Sequence, residues 1–111
     1  MQDGWKKIGT FGVDSGQVLI TDPCYLGDWK NDKFPLDQEV IKDMQKRNDY
    51  PYSYVGAGAR TLSDQMAGDL DLGRGVVSST GWGDGAYDVY ALYSGNRIKE
   101  LKIVFIEDEE K

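Results

Sequence analysis

Apolar and polar positions alternate most regularly in the last third of the chain. Gly75 to Thr80, Ala86 to Tyr93 and Arg97 to Ile106 each read as a strand, separated by the glycine run Gly81 to Gly85 and by Ser94-Gly95-Asn96. On the middle strand Tyr87, Val89, Ala91 and Tyr93 fall on one face, with Asp88, Tyr90 and Leu92 on the other. On the last, Ile98, Leu101, Ile103 and Phe105 are mixed with Lys99, Glu100 and Lys102. Near the start, Ile8 to Val13 and Gln17 to Thr21 flank Asp14-Ser15-Gly16, which predicts a tight hairpin ended by Pro23.

The period changes between Pro35 and Arg47. Leu36, Val40, Ile41 and Met44 make one apolar stripe, with Asp37 and Glu39 near the start and Lys46 and Arg47 near the end, as a helix dipole favours. Asn48-Asp49 and Pro51 end that helix. Tyr52 to Gly58 reads as a weak strand and Thr61 to Gln65 as a short capped turn; Cys24 to Lys33 reads as a loop with Tyr25 and Trp29 as anchors. The predicted fold is α+β and mainly antiparallel β: a small twisted sheet or partly open barrel with one amphipathic helix over about 35–47. A single compact domain over 1–106, followed by an acidic tail over 107–111, is the expected organisation.

Composition narrows the chemistry. With 40% hydrophobic residues, three Trp, seven Tyr and three Phe in 111 residues, the chain has the material for a folded core. The formal net charge is −6, and setting aside the tail acids Glu107 to Glu110 leaves 15 acids against 13 bases. No basic stripe is present, which argues against a DNA or RNA duplex as partner. One cysteine forms no intramolecular disulfide, and no apolar run spans a membrane or makes a signal peptide, so a cytoplasmic location is expected. Histidine is absent, which removes the commonest general base near neutral pH and every Ser-His-Asp or Cys-His arrangement within one chain.

Two segments carry candidate chemistry. In Gly81-Trp82-Gly83-Asp84-Gly85, glycines let a ligand approach the backbone, Trp82 can stack and Asp84 can accept hydrogen bonds; Tyr87 follows directly. The loop lacks the Lys-Ser/Thr end of a P-loop, and the competing reading is a turn that needs positive φ. In the earlier segment, Asp14, Asp22 and Tyr25 offer two carboxylates and an aromatic ring. Asp14, Asp22 and Asp84 together would suit Mg²⁺ or Ca²⁺ if their loops meet, although aspartate also satisfies turn backbone unaided. Tyr25, Tyr87, Tyr90 and Trp82 would form an aromatic wall able to stack a planar ring. Cys24 reads as a small buried residue, and Arg60 and Arg74 as surface ion pairs.

At these motifs the chain resembles a family of short bacterial and phage proteins that share V-D-[SA]-G … D-P-C-Y near the start and G-[aromatic]-G-D-G-x-Y-x-V-Y near the end. Here they are Val13 to Gly16 with Asp22 to Tyr25, and Gly81 to Tyr90; Asp88 stands where members often have proline. The resemblance implies a shared fold and site region and brings no activity with it. The expectation is therefore a non-catalytic module, phage-borne in origin, that binds a small polar ligand and sequesters a nucleotide-type signal without a cofactor. A divalent-metal hydrolase using Asp14, Asp22 and Asp84, and an acidic inhibitor of a host factor, are the alternatives, with self-association left open.

Overall fold

The computed structural model describes residues 4–32 and 37–107. In chain order the elements are β1 (Trp5–Val13), β2 (Gln17–Thr21), a 3₁₀ helix (Pro23–Asp28), α1 (Gln38–Arg47), α2 (Tyr54–Thr61), β3 (Ala67–Leu70), β4 (Gly75–Ser79), β5 (Gly85–Ser94) and β6 (Arg97–Ile103). The strands form two separate three-stranded antiparallel sheets, β1-β5-β6 and β2-β4-β3, and neither closes into a barrel. The α+β class stands, with two sheets in place of the single sheet or open barrel expected. Two compact units follow: Met1–Gly16 with Thr80–Lys111, and the continuous run Gln17–Ser79.

In the first unit β5 is the central strand. Of the predicted inner face, Tyr87 and Ala91 are buried and Val89 half-buried, while Tyr93, past a register shift after Leu92, is exposed. The predicted hairpin between β1 and β2 does not form. β1 pairs with β5 from Trp5↔Leu92 to Val13↔Gly85, and β2 pairs with β4. A nine-residue strand beside a five-residue β2 leaves backbone unpaired, whereas the ten-residue β5 matches it along its length. The glycine run likewise joins strands of different sheets and closes no hairpin. The turn at Gly95-Asn96 does form as predicted: Ser94 pairs with Arg97, and Gly95 takes a φ of 63°. β6 ends at Ile103, short of the expected Ile106.

The second unit holds the helices. The Asp37 carboxylate accepts from the Glu39 N–H to start α1, and Asn48, at φ 53°, ends it in the left-handed conformation. The predicted first residues Pro35 and Leu36 lie outside the described residues. Ile41 is buried and Met44 packs on the core, while Val40 is exposed, so the stripe is narrower than the sequence suggests.

Where a weak strand was expected, α2 forms. The Ser53 hydroxyl accepts from the Gly56 N–H at 2.9 Å, and the missing Gly56 side chain lets the helix close on Pro51: a Cβ there would stand 2.0 Å from the Pro51 carbonyl oxygen. Thr61 opens no new turn: it is the last residue of α2, and its hydroxyl donates back to Gly58 O at 3.2 Å. Ile41, Tyr50, Tyr52, Ala57, Ala59, Leu70 and Val77 make this unit's core, with Trp29 set edge-on against Tyr52 at 5.1 Å. Among the described residues no helix is long and apolar enough to cross a membrane.

Candidate functional site

In the first unit the Gly81 to Gly85 loop is built around one carbonyl. Both the Thr80 hydroxyl and the Tyr87 hydroxyl donate to Gly83 O, at 2.7 and 2.8 Å. Gly81, at φ 65°, lies where a Cβ would stand 3.0 Å from Phe105 Cβ and Ile106 Cγ1; Gly83, at φ 90°, needs its conformation and not the space. The glycines thus serve the turn itself and its packing on the residues after β6. Tyr87 carries the loop from below, edge-on to Phe105 at 5.4 Å and tilted against Phe11 at 6.2 Å.

This anchoring leaves Trp82 at the surface, 74% exposed. Beside it runs a groove of about 330 Å³ whose lining includes Trp82, Tyr87, Asp88, Tyr90, Phe105 and Glu107. Among the described residues, no lysine or arginine lines it. Asp88 is fixed by β1: the Thr10 hydroxyl donates to it at 2.8 Å and Lys7 Nζ stands 3.4 Å away. The Thr10 hydrogen bond, opposed by desolvation and aided by Lys7, holds the Asp88 carboxyl below the usual carboxylate range.

The sequence-predicted residues fall into three places. Trp82 and Tyr87 line the groove, with Gly81 and Gly83 shaping the loop above it. Asp14, Asp84 and Gly85 line a second cavity of about 580 Å³ with Gly12 and Val13. Asp22 and Tyr25 belong to the other unit. There the Asp22 carboxylate caps the 3₁₀ helix by accepting from the Cys24 N–H at 2.9 Å, and the Tyr25 ring lies 5.3 Å from the Arg74 guanidinium. Among the described residues no three His, Cys, Asp or Glu side chains gather as a metal-binding group.

Other candidates resolve within the second unit. Cys24 is exposed rather than buried, because the short helix that carries it buries none of its residues. Arg74 joins Asp28 and Asp71 at 2.5 and 3.0 Å in a surface ion network. Arg60 is no surface residue: its side chain is 15% exposed, its guanidinium lies 4.4 Å from the Tyr50 ring centre and packs on Gly68, and it donates to Asn48 and Asp69. It also borders a cavity with Gln45, Ser63 and Asp64.

Sequence reasoning missed Phe105, Asp88 and Glu107 as groove residues. Phe105 reads as one more position of the last strand and Glu107 as the start of a solvated tail. Only the chain's turn after Ile103 brings them beside Trp82, and no local pattern announces that turn. No known protein family, curated protein or solved structure matches this chain.

Proposed function

We propose that this chain is a non-catalytic module that binds a small planar ligand in the groove beside Trp82, with a nucleobase-type ring as the ligand to try first. One observation carries the reading: a tryptophan 74% exposed to solvent, on a loop held by two hydroxyls to a single carbonyl, next to a groove walled by Tyr90 and Phe105. Leaving an indole in water forgoes roughly 2–3 kcal/mol of burial, and ordering its loop costs entropy as well. A ligand that covers Trp82 recovers the first and meets a loop already ordered. Stacking on the indole and the Tyr90 ring would hold a base, and the Asp88 and Glu107 carboxylates would accept from its amino group or from a sugar hydroxyl.

Binding without catalysis is favoured by the side chains available. The groove offers carboxylates and phenols, and no residue of the chain is a histidine. The test is a titration of isotope-labelled protein with the four common ribonucleosides and their monophosphates to about 1 mM, near the weak end of useful affinities. The Trp82 indole N–H resonance is expected to move together with those of Tyr87 and Tyr90. Trp82→Ala is expected to abolish the response while keeping Tm within about 2 °C, since exposed substitutions change stability little. If every ligand leaves the Trp82 signal in place, the nucleobase assignment is wrong.

A further inference from the structure

The lining of the groove also bears on the charge of its occupant, an inference that rests on the groove being the ligand site. Its aromatic faces are Trp82, Tyr87, Tyr90 and Phe105, and its charged groups are Asp88 and Glu107, both acidic. The ring faces carry negative quadrupole charge, so they attract cations by the same sign rule as the carboxylates. Asp88 stays ionised near neutral pH, and Lys7 and Thr10 hold it in place from β1. The background field has the same sign, since the whole chain carries a formal charge of −6. Among the described residues, an anion entering the groove would meet two carboxylates and no lining ammonium or guanidinium group, and the nearby Lys7 ammonium is held against Asp88 at 3.4 Å.

We infer that the groove selects a small flat organic cation, a ring bearing a positive charge, over its neutral or anionic counterparts. Trp82 and Tyr90 supply the stacking faces, Asp88, paired with Lys7 from β1, supplies the fixed carboxylate, and Glu107 supplies a second one. A phosphate-bearing ligand is correspondingly the poorer occupant, and the base of a nucleotide binds better without its phosphates.

Three rings of one shape and three charges test this: 1-methylnicotinamide as cation, nicotinamide as the neutral form and nicotinate as anion. Each is titrated into the full chain by calorimetry, with the three indole resonances of Trp5, Trp29 and Trp82 followed in parallel. The cation is expected to bind about tenfold tighter than the neutral ring, as one cation–π contact aided by a carboxylate provides. Nicotinate is expected to show no saturation. Trp82→Ala should remove binding of the cation and the neutral ring alike. Glu107→Gln should narrow the gap between them by about threefold, at unchanged affinity for the neutral ring.

Equal or tighter binding of nicotinamide or nicotinate at Trp82 overturns the charge assignment and leaves the planar-ligand reading standing. Saturation that moves Trp5 or Trp29 and spares Trp82 overturns it too, as does an absence of binding by all three rings. In that last case the ribonucleoside titration decides separately whether the groove takes planar ligands at all.

Discussion

The two units share the same kinds of residue and differ in where one aromatic ring is left uncovered. In the second, aromatic rings and charges face one another: Tyr50 stacks on Arg60, Tyr25 lies under Arg74, and both arginines reach aspartates. In the first, Tyr87 and Phe105 support a loop whose tryptophan has water for its main neighbour, above carboxylates that line a groove. The first unit has such pairs as well, Lys102 over Trp5 at 4.3 Å and Lys7 beside Asp88, but the Trp82 indole stays 74% exposed. On the reading proposed above, the ligand site falls in the unit of the β1-β5-β6 sheet, and the unit with the helices holds the larger cluster of buried side chains.

The sharpest way to break that contrast is at Gly56. A methyl group there would overlap the Pro51 carbonyl, so Gly56→Ala should cost about 3 kcal/mol or more and show in urea unfolding as a much lower midpoint. A loss under 1 kcal/mol would mean that the Pro51–Ser53 segment yields easily and that the close approach of Gly56 to Pro51 does not hold α2 in place.

A smaller effect is expected on the other side. Tyr87→Phe removes one of two hydrogen bonds to Gly83 O and keeps the ring, so it should cost about 1 kcal/mol. It should also weaken ligand binding at Trp82 several-fold by loosening the loop. Unchanged affinity would detach the loop's anchoring from the site.

The smallest effect is a pH dependence. With its carboxyl held below the ordinary range by Thr10 and Lys7, Asp88 contributes stability that is fully present above about pH 4, the unfolded value. The contribution is lost as pH falls through the lowered folded value. Asp88→Asn should therefore flatten the decline in Tm between about pH 4 and 2 and leave its slope near neutrality unchanged.

The same contrast separates what the sequence reveals from what it hides. Patterns that act over a few residues were legible: the alternation in β5, the Gly95-Asn96 turn, and the charged ends of α1. Partner choice was not. Asp14-Ser15-Gly16 carries every local sign of a hairpin, yet strand length favours β5, far along the chain, as the partner of β1. At α2, the tyrosines and Val55 favour a strand while two glycines weaken both strand and helix by propensity; the helix forms with a close approach of Gly56 to Pro51 that only the folded chain reveals. The candidate site was half legible for the same reason. Trp82 and Tyr87 announce themselves by their setting, while Phe105 and Glu107 become groove residues only through a turn after β6.

The order in which the strands pair has a bearing on synthesis. The run from Gln17 to Ser79 holds all its own strand partners, so it can reach its folded state as soon as it leaves the ribosome. β1 emerges before any of it and has nothing to pair with until β5 follows, when Trp5 meets Leu92 and the Thr80 N–H reaches Gly16 O. β1 is thus made before the Gln17–Ser79 segment and finds its place after it, since its partner β5 follows that segment in the chain.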